Sequence, residues 1–313
     1  MRICVLGAAA GGGFPQWNAN NEQCRRARAR DPAAPPQTQA SLAVSAGDGH
    51  WFLLNASPDL RQQIEANPVL HPGAGRPDAG LRDSPIAGVV LTGAEVDQVA
   101  GLLTLRERQK LVLYGAERVL ATLRANSIFD VLAPEVVRRQ PIRLDEPFAL
   151  EPPDGAAHRL ECEAFAVPGK VALYLEQAGQ VDFGSRPDDN IGLIVREQGT
   201  NAAFAFLPGC AEVMQDLKTR LDGLPLLFFD GTLYRDDEMI RSGEGIKTGQ
   251  RMGHISMSGP GGAIEAFADA NIERKMFIHI NNTNPVLLRD SPERRAVEAA
   301  GWGVAADGME FAL

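Results

Sequence analysis

The sequence is short of cysteine, of aromatic residues and of positive charge, and each shortage excludes something. Four cysteines in 313 residues (Cys4, Cys24, Cys162 and Cys210) stand far apart, with no Cys-x-x-Cys pair. Scattered single thiols make no disulfide framework and fit a reducing compartment. Forty Asp and Glu against 31 Lys and Arg leave a net charge of -9. That balance argues against non-specific attraction to nucleic acid or to an anionic membrane. No run approaches the roughly 18 apolar residues that a bilayer span needs. The apolar start, "MRICVLGAAAGGGFPQW", is broken by three consecutive glycines where a signal peptide needs a continuous segment. These absences predict a cytoplasmic chain that neither inserts in a membrane nor binds nucleic acid.

What is present is a globular composition, 44% hydrophobic and 23% charged, enough for a sizeable core. "RICVLG" reads as a first strand entering a Gly-rich loop. That loop has neither G-x-G-x-x-G spacing nor a G-K-[ST] ending, so glycine's conformational freedom explains it better than a phosphate cradle does. Residues 25–37, "RRARARDPAAPPQ", read as a surface loop. "SLAVSAGDGHWFLLNAS" predicts two strands around a tight turn. "SPDLRQQIEAN" predicts a helix with Ser57 as N-cap and Pro58 at its first position. "VVLTGAEVDQVAGLL" (89–103) reads as a buried strand, a polar turn and a helix around Val99, Leu102 and Leu103. "LVLYG" predicts a strand and "AERVLATLRAN" a helix. Residues 141–207 read as mostly strand, "VALYLEQ" (171–177) included. "LPLLFFDGT" and "KMFIHINNTNP" predict two more strands, and "SPERRAVEAAG" a capped helix. Strands followed by helices, twice over and with no long linker, predict two sheets packed face to face with helices outside, in one domain over 1–313. A doubly wound parallel sheet is the alternative.

Chemistry-bearing groups fall at the strand ends, where α/β sheets place their ligands. Asp97 follows the strand at 89–91, and Glu95 and Gln98 flank it as either ligands or polar residues at a helix start. Asp230 ends "LPLLFFD", where it either terminates a turn or orients a histidine for acid–base work. His254 lies in "RMGHISMSGPGG". His279 sits in an apolar strand and reads as a half-buried side chain or as a ligand, and Asn281 and Asn282 follow it with further hydrogen-bonding groups. No stock zinc spacing is present. A hard oxygen site, or a mixed His/carboxylate site for iron, suits these donors.

These segments together resemble a family. "VVLTGAEVDQVAGLL" is similar to the T-H-x-H-x-D-H metal loop of the metallo-β-lactamase superfamily, with Gly93, Glu95 and Gln98 where histidines stand and only Asp97 kept. "GGGFPQWN", "LTLRER", "DGTLYRDDE", "MGHISMSGPGG" and above all "HINNTNP" closely resemble the coenzyme PQQ synthesis protein B family of that superfamily, over nearly the whole chain. The resemblance implies an αββα sandwich, an α/β four-layer arrangement with the site at one edge of the two sheets. It implies His279 as a metal ligand beside Asp97, with Glu95 or Gln98 as further candidates, and His254 with Asp230 as a second-shell acid–base pair. Asn281, Asn282 and Trp17 are then candidate substrate contacts. Family members often carry a Cys-x-Cys-x-x-Cys zinc knuckle after the Trp-Asn, whereas "WNANNEQC" keeps only Cys24, so no structural zinc is expected.

The family carries two expectations of function. One is an iron- and oxygen-dependent hydroxylase acting on a tyrosine-containing precursor of pyrroloquinoline quinone (PQQ). The other is a carrier that takes part in transport of PQQ or its precursor towards the periplasm. Iron is the expected cofactor, with zinc as the ion that survives isolation. A small peptide-derived precursor or PQQ itself is the expected partner, and a homodimer is compatible with the sequence. A binuclear phosphodiesterase is disfavoured, because too few ligands remain for two ions.

Overall fold

The computed structural model describes residues 1–76, 79–156, 158–180 and 184–313. The strands in chain order are β1 (Arg2–Gly7), β2 (Ser41–Ser45), β3 (Trp51–Leu54), β4 (Ile86–Val90), β5 (Leu111–Ala116), β6 (Val137–Ile142) and β7 (Pro147–Ala149). They continue with β8 (Leu160–Ala166), β9 (Ile191–Glu197), β10 (Ala203–Leu207), β11 (Leu226–Asp230), β12 (Arg274–Ile278), β13 (Trp302–Val304) and β14 (Glu310–Ala312). They form two seven-stranded mixed sheets, in the orders β14-β1-β2-β3-β4-β5-β6 and β13-β12-β11-β10-β9-β8-β7.

Side-chain alternation makes the layers. In β10, Phe204 and Phe206 point into a central core, while Ala203, Ala205 and Leu207 point the other way. The central core joins Val44, Phe52, Leu54, Val90, Val112 and Tyr114 of one sheet to Leu193, Val195, Phe204, Phe206 and Phe228 of the other. Outside the first sheet, Leu53, Val89 and Leu113 pack on Leu60, Val119, Leu120 and Leu123 of two helices. Outside the second, Leu227, Phe229 and Phe277 pack on Leu217, Leu221, Phe267 and Val297. Strands apolar on both faces are what a sheet covered on both sides requires. The result is the expected helix–sheet–sheet–helix sandwich, not the doubly wound alternative.

Several local expectations are corrected. Residues 25–28 belong to a helix, Glu22–Arg28, not a loop. Its arginines point outward while Cys24 and Ala27, three residues apart, are buried. The helix expected from Ser57 begins at Leu60 with Asp59 as its N-cap, and the Ser57 hydroxyl donates to Gln63 Oε1 at 3.1 Å. "VALYLEQ" makes a 3₁₀ turn at Leu173–Leu175 rather than a strand. The helix after "VVL" is one turn, Val96–Val99, continued as 3₁₀ over Ala100–Leu105. His279 lies one residue beyond β12, with φ of 60°. This left-handed residue turns the chain out of the strand, and Ile280 then bridges to Ala9. Ala9 also bridges Gln39, so both sheets are tied together where the functional groups meet. Among the described residues, no helix is long and apolar enough to cross a membrane.

Candidate functional site

The parallel pairs β3–β4 and β11–β12 end at the same edge of the sandwich, and their C-terminal ends carry the polar groups. From β4 the chain passes through Thr92, which is locked to the end of β3. Its backbone N–H donates to Asn55 Oδ1 at 2.9 Å, and Asn55 Nδ2 donates to Thr92 Oγ1 at 2.9 Å. Asp97 then sits in the first turn of the following helix. From β11 the chain delivers Asp230, fully buried, and from β12 it delivers His279. His254 follows the short helix Gly249–Met252, which ends at Gly253 with φ of 88°.

Four of the residues expected from sequence come together in two coupled pairs. His279 Nε2 lies 2.9 Å from Asp97 Oδ2, and His254 Nδ1 lies 2.7 Å from Asp230 Oδ2. The two imidazoles are stacked, 5.3 Å between centroids and 20° between planes. Thr232, which sequence reasoning missed, links the pairs. Its hydroxyl donates to Asp230 Oδ1 at 2.7 Å, which leaves its oxygen to accept from His279 Nδ1–H at 2.9 Å. That bond orients the His279 ring and turns Nε2 towards Asp97, as a hydroxyl or carboxylate does behind a ligand histidine. The remaining capacity of the Asp230 carboxylate is filled by the backbone N–H groups of Cys210 at 2.9 Å and Thr232 at 3.0 Å. The only signal for Thr232 was a hydroxyl two residues after a strand-end carboxylate.

Burial works against charge on Asp97, but the hydrogen bond and charge of His279 outweigh it and hold the carboxyl below its ordinary range. Burial likewise disfavours charged His279, and Asp97 overcomes it and raises the imidazole's pKa. Glu95 is pushed up, first by burial and then by Asp97. One of its oxygens accepts from Leu173 N–H at 3.0 Å. Gln98 lies at the cavity with its amide engaged: its Oε1 accepts from Glu95 N–H at 3.1 Å and its Nε2 donates to Thr92 Oγ1 at 3.3 Å, which caps its own helix.

Glu95, Asp97, Gln98, Thr232, His254 and His279 line a cavity of about 490 Å³, with Asp230 buried behind His254. Its wall also includes Gln16, Lys170, Asn190, Asn281 and Asn282, with Leu173, Met239 and Met252 as apolar surface. Asn281 and Asn282 are thus at the cavity, as the sequence suggested. Asn284 is not: its Nδ2 donates to Gly231 O at 3.0 Å, as a turn brace. Trp17 is 84% exposed, and its neighbour Gln16 occupies the wall instead. The arginines after it are spent on structure. Arg26 donates to Asp31 and Asp290 at 2.6 and 2.7 Å, and Arg28 donates to Ala19 O at 2.6 Å. Cys24 is buried, with Sγ 3.7 Å from Asn282 Oδ1.

A model of the β-lactamase superfamily domain matches residues 50–280. Coenzyme PQQ synthesis protein B of Gluconacetobacter diazotrophicus is 57% identical over 309 residues, covering 99% of this chain and 98% of that protein. The chain belongs to the coenzyme PQQ synthesis protein B family. The family member from Rhodopseudomonas palustris (strain CGA009) is 54% identical over the full length of both chains. A zinc-bound member from Methylobacterium extorquens superposes with a TM-score of 0.92 at 50% identity, again over the whole of both chains. A diphosphatase of the PhnP family, 16% identical with a TM-score of 0.66 over 99% of this chain and 97% of its own, shares the fold.

The Asp97–His279 pair has the donor chemistry to hold a metal ion. Asp230, His254 and His279 offer ligand atoms within 4.8 Å of one another, and Asp97 Oδ2 adds a carboxylate oxygen at 2.9 Å from His279. A single ion bound at about 2.0–2.2 Å would take the His279 Nε2–Asp97 pair with little movement. Gly93 offers no side-chain donor, and the Gln98 amide is engaged by Glu95 and Thr92.

Proposed function

We propose that this chain acts in PQQ biosynthesis as an iron-dependent hydroxylase of a tyrosine-containing precursor. The observation that carries the reading is the pair of coupled dyads, Asp97–His279 and Asp230–His254, joined through Thr232 on one cavity wall. His279 and Asp97 would hold the ion, with Glu95 a further carboxylate on the same cavity wall. Iron bound there supplies dioxygen activation, and a mixed His/carboxylate set with open positions is the ligand type suited to it. The protein's own contribution is orientation and proton handling. Asp230 accepts from His254 Nδ1–H, so the far nitrogen of that ring, Nε2, is the one available to take or give a proton. The Asn281, Asn282 and Gln16 amides present donors and acceptors for a polar, carboxylate-bearing substrate, and Leu173, Met239 and Met252 offer apolar surface for its ring. We take the reaction to run in the cytoplasm, in keeping with four free, buried cysteines.

The test is oxygen uptake by anaerobically iron-loaded protein, dependent on added precursor. Uptake should fall to background in His279→Ala, and an unaffected rate removes the assignment. A carrier of PQQ or its precursor is the second reading, favoured by the engaged Gln98 amide and the absent side-chain donor at Gly93. Under that reading, binding persists in metal-stripped protein, and an affinity abolished by a chelator counts against it.

A further inference from the structure

At the opposite edge of the sandwich lies a second cluster of metal-binding side chains. The strand register places it there. Leu54 and Val90, next to the site described above, pair at one end of β3 and β4, and the β2–β3 turn (46–50) lies at the other. In the second sheet Ala166 pairs Ile191 at the functional edge, whereas Leu160 pairs Glu197 at the far one. The turn supplies Asp48 and His50, and the segment entering β8 supplies His158. The three ligand atoms lie within 4.8 Å of one another. His158 Nδ1 is 2.5 Å from Asp48 Oδ2, and His50 Nδ1 is 3.9 Å from Asp48 Oδ1.

Two further observations separate this cluster from a solvated surface group. The His158 side chain is 1% exposed and packs on Phe52, 4.9 Å between ring centroids. His50 Nδ1 and His158 Nε2 are both sealed from solvent without a hydrogen-bond partner. Leaving a buried polar nitrogen unmatched is costly, and ligation of His50 Nδ1 satisfies one of them. On its other side, His50 Nε2 faces Asp154 Oδ2 at 3.2 Å. That is the carboxylate–histidine arrangement that orients ligand imidazoles. Ligand atoms about one tetrahedral ion stand roughly 3.4 Å apart at ordinary bond lengths, so small rotations of Asp48 and His50 close the site.

We propose that Asp48, His50 and His158 bind a zinc-class divalent ion, with Asp154 orienting His50 and solvent as the fourth ligand. The ion joins the β2–β3 turn of one sheet to the β7–β8 connection of the other. It is therefore a structural clasp between the sheets, independent of the chemistry at the functional edge. Two imidazoles and a carboxylate favour zinc over calcium or magnesium, which take oxygen ligands.

The test uses the full-length, metal-free protein titrated with zinc. Anomalous difference maps collected above and below the zinc edge should show a peak within about 2.2 Å of one ring nitrogen each of His50 and His158. In solution, Asp48→Asn and His50→Gln should each lose one equivalent of zinc, or bind it at least tenfold more weakly. Zinc should raise the melting midpoint of the parent by about 4 °C or more. The rise should be smaller in both variants, although their metal-free midpoints match the parent's. No anomalous peak at the turn under saturating zinc, or a peak held by Asp48 and water alone, overturns the proposal. So does unchanged zinc stoichiometry and affinity in both variants.

Discussion

Thr232 joins the two pairs at the functional edge, and its removal has a calculable cost. Thr232 is 5% exposed, and its hydroxyl both donates to Asp230 and accepts from His279. Thr232→Val keeps the branched shape and deletes only the oxygen's hydrogen bonds. A hydrogen bond to a charged group contributes about 1.5–3 kcal/mol, and the stranded His279 Nδ1–H adds a desolvation penalty of about 1–3 kcal/mol. Some of both is recovered by relaxation and water, so a net loss of about 2–4 kcal/mol is expected. Urea denaturation at fixed pH measures it. Thr232→Ser restores the oxygen and should recover all but about 1 kcal/mol, the value of the lost methyl. A purely packing role predicts the opposite order, with the Val variant near the parent and the Ser variant worse. Metal affinity separates the two further, because loss of an outer-shell partner to a ligand histidine typically costs 10–100-fold. A Thr232→Val protein as stable as the parent, with unchanged metal affinity, would refute the linkage.

Three other predictions test separate parts of the molecule. Glu238 is buried beside Thr283 and its pKa is pushed up from 4.5 to about 7, chiefly by burial. The folded state therefore holds this proton where the unfolded chain has released it, so the stabilisation is complete below pH 4.5 and is lost as pH rises to about 7. At 1.36 kcal/mol per unit this amounts to at most about 3 kcal/mol, and Glu238→Gln should flatten the urea midpoint over that window; parallel profiles would show the carboxyl is not the cause. A Cβ at Gly93 would lie 2.5 Å from Gln98 Oε1 and 3.0 Å from Asp189 O. Gly93→Ala should thus cost about 1–3 kcal/mol by overpacking, and distinctly less in a Gln98→Ala background, a coupling that a double-mutant cycle reads directly. Phe228 is fully buried between the sheets, edge-on to Phe204 and Phe311; Phe228→Ala should cost about 3–5 kcal/mol by equilibrium unfolding, and under 1 kcal/mol would mean the sheets collapse to fill the cavity.

The sandwich was legible where burial on both faces left continuous apolar runs, as in β4, β10 and β11. It was hidden where only the ends of an element are buried. β6 is an edge strand whose residues Val137 and Ile142 alone are buried and which contains Pro141, a residue edges tolerate and interiors do not. The helix Glu22–Arg28 was masked by its basic outer face, since Cys24 and Ala27 are too few to show a period. "VALYLEQ" failed for a different reason: it alternates like a strand, yet Leu173 and Tyr174 are about half exposed and Leu173 walls the cavity. Local patterns are expected to break where residues serve a site rather than a core. The dyads were unequally visible. Asp230 and His254 stand at ends of neighbouring segments, but Asp97 and His279 are 182 residues apart, and only the resemblance joined them.

The loop at 92–98 is packed as one unit. The space a side chain at Gly93 needs is filled by the Gln98 amide, and that amide is engaged by Thr92 and by the Glu95 backbone. Any side chain at 93 therefore requires the Gln98 amide to move from its present position. The loop keeps its shape because Asn55, itself held at φ of 64°, clamps Thr92 through both backbone and hydroxyl. Asp97 is consequently presented to His279 by the hydrogen bonds and helix geometry of this loop. In the function proposed above, catalysis rather than carriage requires that Asp97 and His279, held in this geometry, bind the ion.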